Sequence, residues 1–290
     1  APSQQAGEFR LGYAGDTFNT AWYLARTMPD IDVTYLTAVG DDAISRDMRA
    51  FMRASRIHDT HVQTMVGETV GLYLIHLKNG ERSFSYWRDS AAAKQLAINP
   101  IALEQAMEDA DLIYYSGITL AILDSQSRDN LFNALRVARA AGKTVAFDTN
   151  LRPSLWTNPQ EMKTTIMRAA GQSDIVLPSF DDEAAWFGDV DPHETLDRYA
   201  AIGAKHVIVK NSAESVVFQQ GRDRGEGEFD PVTDVVDTTA AGDSFNAGVL
   251  AGILRHNDMT KGILLGCRLA GQVVQHKGAL VLVEPDQGAK

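Results

Sequence analysis

Short runs of β-forming apolar residues alternate with segments of helical periodicity through most of this chain. That alternation restricts the possible folds more than any other feature. Phe18, Ala21, Trp22 and Ala25 fall at i, i+3, i+4 and i+7, one face of a helix that ends before Pro29. Val33 to Val39 then reads as a strand. Leu131, Ala134, Leu135 and Ala138 repeat the helical spacing, with Gly142 as the stop, and Thr144 to Phe147 follows as a short buried strand. Ile175 to Leu177 and His206 to Val209 are further short apolar runs. Strands that alternate with helices predict a doubly wound, mostly parallel sheet covered on both faces. In such a sheet ligands bind at the carboxyl ends of the strands.

One segment breaks this rhythm. Val70 to Leu77 and Arg82 to Arg88 are both β-rich and are joined by Lys78-Asn79-Gly80-Glu81. Asn-Gly between two such runs predicts a hairpin. It forms either a small lid over residues 66–90 or an edge extension of the main sheet. Gly221 to Gly227, polar and glycine-rich, predicts an exposed loop.

The chemistry concentrates in Asp237-Thr238-Thr239-Ala240-Ala241-Gly242-Asp243-Ser244-Phe245-Asn246-Ala247-Gly248. Small residues let main-chain N–H groups approach a ligand closely, and a helix that starts there adds the positive end of its dipole. The pair makes an anion site suited to phosphate. Asp243 then stands where a general base takes a proton from an attacking hydroxyl. The bland alternative is a loop entering a buried helix. A second constellation is Ala14-Gly15-Asp16-Thr17-Phe18-Asn19, in which Gly15 permits close approach and Asp16 and Asn19 suit sugar hydroxyls; Asp16 also fits a simple helix cap. In the hairpin, Tyr86 and Arg88 share one face of a strand and Tyr73 lies on the facing strand. Rings that pack carbon faces and a guanidinium that forks a carboxylate suit a sugar acid. A surface arginine beside a cross-strand aromatic pair has the same spacing. Asp148-Thr149-Asn150-Leu151-Arg152-Pro153 follows directly on a buried strand and so faces the cleft.

Asp237-Thr238-Thr239-Ala240-Ala241-Gly242-Asp243 resembles the Asp-Thr-x-x-Ala-Gly-Asp signature of the PfkB (ribokinase-like) sugar kinases. The resemblance runs from about Gly15 to Ala279. It implies a ribokinase-like α/β fold with a β-lid over 1–290 and phosphoryl transfer from ATP with Mg2+. It further implies that the N–H groups of Ala240, Ala241 and Gly242 face the transferring phosphoryl and that Asp243 is the base. Asp148-Thr149-Asn150-Leu151-Arg152 resembles the family's Asp-x-Asn-x-Arg element. In the branch that phosphorylates 2-keto-3-deoxygluconate at its 6-hydroxyl, this arginine binds the substrate carboxylate. Tyr86-Trp87-Arg88, Ser116-Gly117-Ile118 and Leu155-Trp156 fit that branch. Carried over residue by residue, Gly15, Asp16, Asn19, Tyr73, Tyr86, Arg88, Arg152 and Asp243 hold the sugar acid, and Lys210, Ser212, Ala240, Gly242 and Ala279 serve ATP. The family's Asn-x-x-Glu element falls on Phe180-Asp181-Asp182-Glu183; Phe180 replaces the Asn, and Glu183 alone is assigned to the metal, through water. The family's opening strand has no counterpart before Gly15, and the stretch before Asp237 is short. A neutral-sugar kinase such as a fructokinase and a non-catalytic sensor are the alternatives.

Composition narrows the partners. A net charge of −11 excludes a general nucleic-acid binder and requires specific Arg, Lys and N–H groups to draw in an anion. Cys267 is the single cysteine, so no internal disulfide and no cysteine-based zinc site form, and a reducing cytoplasm is expected. No apolar run reaches membrane-spanning length, and Ala1-Pro2-Ser3-Gln4-Gln5 does not read as a signal peptide. Gly142-Lys143-Thr144 fails as a phosphate loop because Val137 stands where glycine is needed. His58 and His61 read as exposed loop residues. Relatives often pair through their lids, which implies a homo-oligomer.

Overall fold

The computed structural model describes residues 9, 11–78, 81–227, 229 and 232–283. In chain order the elements begin with α1 (Asp16–Thr27), β1 (Val33–Thr34), β2 (Thr37–Gly40), α2 (Ala43–Ala54), β3 (Ile57–His58), β4 (Val62–Met65), β5 (Leu72–Lys78) and β6 (Glu81–Trp87). Then come α3 (Pro100–Glu108), β7 (Leu112–Ser116), α4 (Gly117–Ile122), α5 (Ser125–Ala140), β8 (Thr144–Asp148), α6 (Pro159–Gly171) and β9 (Ile175–Val176). The last group is α7 (Phe180–Phe187), α8 (Pro192–Ala201), β10 (His206–Val209), β11 (Val216–Gln220), β12 (Asp223–Gly227), α9 (Ala241–His256) and α10 (Met259–Val274).

The main sheet has strand order β12-β11-β10-β9-β8-β7. Strands β7 to β10 run parallel, and β11 and β12 turn back antiparallel. Side chains alternate between two buried layers, as a sheet covered on both faces requires. Val145, Phe147, Val207 and Val209 pack with α3, α5, α6 and α8 on one face. Ala146, Ile175 and Ile208 pack with α1, α9 and α10 on the other. Successive strand residues therefore serve opposite cores, and the carboxyl ends of β7, β8 and β10 converge at one rim.

The expected helices and strands appear with two differences. Val33 to Val39 is not one strand: β1 pairs with β3, while β2 pairs with β4, and the chain shifts partner at Tyr35-Leu36. Gly221 to Gly227 is not a loop. Gly221 (φ 62°) makes a turn, and Asp223–Gly227 returns as an edge strand on β11. Gly225 is needed there, because a Cβ would stand 2.8 Å from the Phe218 ring. The hairpin forms as a separate two-stranded sheet rather than an extension of the main one, with Tyr73 directly opposite Tyr86. Its Asn79-Gly80 turn lies outside the described residues, as does the Ala1 to Gln5 segment. His58 sits in β3 and meets Asp32 at 3.2 Å, so it is a strand residue, not a loop one.

Helices α9 and α10 cross unusually closely. A Cβ on Gly248 would lie 2.5 Å from the Gly266 backbone, and one on Gly252 would lie 2.5 Å from the Gly262 nitrogen. Glycine at both crossings lets backbone rest on backbone.

Candidate active site

The amino end of α9 meets the carboxyl ends of β7 and β8 and the start of α1. Ala240, at the N-cap, adopts a left-handed conformation (φ 63°), which starts the helix abruptly. The N–H groups of Ala240 and Gly242 have no protein acceptor among the described residues, as an anion site requires. The Ala241 N–H differs from expectation: it donates to the Thr238 carbonyl at 3.2 Å and closes the turn instead. Asp237 braces this loop from below. Its carboxylate accepts from the Thr239 N–H (3.1 Å), the Thr239 hydroxyl (2.7 Å) and the Gly278 N–H (2.7 Å). The last bond draws the Gly278-Ala279 segment to the anion loop. There the Ala279 carbonyl accepts from the buried Tyr23 hydroxyl at 2.8 Å.

Asp243 lies in the first turn of α9 and is half-buried. Asn19 of α1 donates to its carboxylate at 2.7 Å, and Thr20 donates to its main-chain carbonyl at 3.1 Å. Asp16 accepts from the Ser116 hydroxyl at the end of β7 and from Asn150 at 2.9 Å. It is therefore more than a helix cap; α1 has no side-chain cap at all. Gly15 is extended (φ 179°), and a Cβ there would make only an ordinary contact at 3.6 Å. Nothing inside the protein demands glycine, so its missing side chain leaves room on the cleft side.

Asp16, Asp148 and Asp243 bring one oxygen each within 4.8 Å of one another. Asp148, buried at the end of β8, is neutralised by Lys210 (2.9 Å) and accepts from Asn246 (2.9 Å). Asn246 also accepts from Lys210 at 3.3 Å and donates to the Tyr114 hydroxyl at 3.0 Å. Among the described residues Lys210 is the one cation ion-paired within this group of three carboxylates. Burial, and next the Asp16 charge, push the Asp243 carboxyl well above the usual range; Asn19 and Lys210 oppose this. Burial and the Asp148 charge raise Asp16 to about 6, against hydrogen bonds from Ser116 and Asn150 and the charge of Arg152. A carboxylate with raised proton affinity, held beside unpaired amides, is what a general base near neutral pH needs.

Arg152 enters the same field. It is exposed, it stands two residues after Asn150, and its charge opposes the rise in pKa of both Asp16 and Asp182. In the hairpin the Arg88 guanidinium stands 4.5 Å from the centre of the Tyr86 ring and 5.6 Å from that of Tyr73, and the two rings are 6.2 Å apart. Lys210 sits between Asp148 and the anion loop, 3.9 Å from where a Gly242 side chain would begin. Ser212 is at the rim (φ 47°), and its hydroxyl donates to Asp181 at 2.6 Å.

Glu183 is placed otherwise than a direct metal ligand requires. It is 0% exposed, and its Oε2 accepts from Arg198 (2.9 Å) and Tyr199 (3.0 Å). Arg198 is fixed in turn by Asp189. The Oε1 atom has no partner at full hydrogen-bond geometry, and the buried Thr149 hydroxyl, likewise unpaired, interacts with the same carboxylate. Asn246 and Tyr114 were not singled out as site residues by sequence. A polar side chain three positions after Asp243 in an otherwise apolar helix was the one available signal.

The pfkB family carbohydrate kinases match residues 1–285 of the chain. The chain belongs to that family. This pfkB kinase is 38% identical over 281 residues to the 2-dehydro-3-deoxygluconokinase of Haemophilus influenzae, covering 94% of this chain and 90% of that enzyme. The crystal structure of a PfkB protein from Polaromonas sp. JS666 superposes with a TM-score of 0.83 at 27% identity, covering 95% and 90% of the two chains. A putative ribokinase II from E. coli, solved in complex with ATP and Mg2+, superposes at 0.80 with 20% identity over 96% and 88%, a likeness of fold alone. The ribokinase-like fold expected from sequence is thereby established for this pfkB kinase. No helix among its described residues is long and apolar enough to cross a membrane.

Proposed function

We propose that the protein transfers the γ-phosphate of ATP to the 6-hydroxyl of 2-keto-3-deoxygluconate. The observation that carries this is the convergence of a proton-hungry Asp243, two amides without a protein acceptor among the described residues, and Asp16 and Asn19, with Arg152 at their border. The name of the Haemophilus relative supplies the substrate. Asp16, Asn19 and the space beside Gly15 take the sugar hydroxyls. Arg152, with Arg88, Tyr73 and Tyr86 of the hairpin, takes the carboxylate end, which turns the far hydroxyl toward Asp243. Asp243 removes its proton, the oxygen attacks the γ-phosphorus, and the bond to the β-phosphate oxygen breaks to release ADP. The Ala240 and Gly242 amides and Lys210 stabilise the charge that builds on the phosphoryl oxygens, and Ser212 and Ala279 border the nucleotide. Mg2+ bound with ATP would supply further charge neutralisation, and Glu183 would help hold it through water.

Exposed Leu72 and Trp87 on the hairpin fit a homo-oligomeric contact, and the lone Cys267 fits a reducing cytoplasm. A coupled ATP assay across sugar acids and neutral ketoses tests the function. Asp243→Asn should bind both substrates yet turn over about 10²–10⁴-fold more slowly. A preference for fructose would overturn the substrate, and near-normal turnover of Asp243→Asn would overturn the base.

A further inference from the structure

Two sequence elements, Ser116-Gly117-Ile118 and Leu155-Trp156, remain unused by this chemistry beyond the Ser116 hydroxyl. Both close on one short loop. Asn150 (φ 20°) and Arg152 (φ 42°, ψ 65°) have positive φ, and Arg152 lies in the left-handed region. Residues with side chains stay there only where their surroundings hold them. Between them Leu151 is fully buried, and its carbonyl accepts from the Trp156 indole N–H at 2.8 Å. On the other side the Thr149 and Asn150 carbonyls pass directly over Gly117. A Cβ at 117 would collide with the Thr149 oxygen and stand 2.9 Å from both the Asn150 oxygen and Ile166 Cδ1. The loop is therefore held between a bare backbone and an indole. Arg128 secures the indole from behind. Its guanidinium lies 4.9 Å from the Trp156 ring centre, while it donates to the Leu120 carbonyl (2.8 Å) and pairs with Glu161 (2.5 Å). Pro153 and the Leu155 N–H bond to the Arg152 carbonyl (2.9 Å) complete the turn.

The geometry points to Trp156 as a positioning residue for Arg152. By holding the Leu151 carbonyl while Gly117 admits the Thr149 and Asn150 carbonyls, it fixes the backbone from which the guanidinium reaches the cleft. This rests on the reading above that Arg152 takes the substrate carboxylate. Trp156→Phe keeps an apolar ring and removes the N–H. The expected result is a rise of roughly tenfold in KM for 2-keto-3-deoxygluconate, the size of one lost buried hydrogen bond. The kcat and the KM for ATP should stay within about twofold by the same logic, since the loop reaches the site only through the Asn150 bond to Asp16 and makes no contact with Asp243 or the anion loop. In an Arg152→Gln background the Phe substitution should add nothing, and amide hydrogen exchange across residues 149–153 should quicken in Trp156→Phe.

An unchanged KM in Trp156→Phe, the same factor in the Arg152→Gln background, or unchanged exchange would each overturn the positioning role. If Arg152→Gln itself leaves the KM for the acid untouched, the carboxylate assignment fails instead; the exchange experiment then decides the clamp alone. Should Trp156→Phe not fold, Arg128→Met removes only the outer support and should give a smaller rise, about threefold, judged by the same criteria.

Discussion

Asp243→Asn should stabilise the unliganded protein while it abolishes fast turnover. Asp16 and Asp243 offer oxygens within 4.8 Å of one another, and Lys210 is already committed to Asp148. Two full charges at that distance, with an effective dielectric near 20, repel by about 3.5 kcal/mol. Asparagine removes the repulsion and still accepts the Asn19 bond through its amide oxygen. Loss of the charge-assisted part of that bond offsets about 1–2 kcal/mol. The net gain is about 2 kcal/mol, which for a chain of 290 residues raises Tm by roughly 3–6 °C.

The gain depends on pH in a definite direction. Both carboxyls are raised in the folded state, so the folded protein holds protons that the unfolded chain releases near pH 4. That contribution to stability is complete below pH 4 and is lost as pH rises through the raised folded-state values, about 6 for Asp16. The wild type therefore suffers less of the repulsion at pH 5, where Asp16 is largely protonated, than at pH 8.5. Differential scanning fluorimetry of both proteins at the two pH values measures it. Equal or lower Tm for Asp243→Asn at pH 8.5, or a gain of the same size at pH 5, would show that the carboxylates do not repel as their spacing implies.

Two further outcomes follow from packing. Arg198→Met strands the fully buried Glu183 and the nearly buried Asp189 without their cation; urea denaturation should show a loss of about 3–5 kcal/mol, and a change below 1 kcal/mol would mean that the pair is solvated. Gly252→Ala places a methyl against the Gly262 backbone, where no side chain can yield; a loss of about 1–3 kcal/mol is expected from the same assay, and no loss would mean that α9 and α10 separate freely.

Local patterns revealed the frame. His206 to Val209 and Thr144 to Phe147 are buried strands because nothing but a two-sided core accepts such runs, and the anion loop declares itself through its small residues. Features that depend on which element lies alongside were hidden. Val33 to Val39 splits because its two halves meet different neighbours, β3 and β4. Asp223–Gly227 becomes a strand because β11 offers an open edge with Phe218 over Gly225. The Asn19 bond to Asp243 spans 224 positions, and Asn246 gains its meaning only from Asp148, 98 positions away. The burial of Glu183 was hidden for the same reason: its neighbour Arg198 comes from α8, a separate helix.

The contact between α9 and α10 bears on how such an enzyme moves. Where main chain lies on main chain there are no rotamers to exchange and no soft layer to shear. The helix that carries Asp243 is thereby moored to its neighbour along two turns, and the carboxylate is a fixed point in the molecule. Any approach between sugar and base must come from the other partners. Among the described residues the hairpin shares no ladder with the main sheet, so nothing in that sheet's hydrogen bonding opposes its approach.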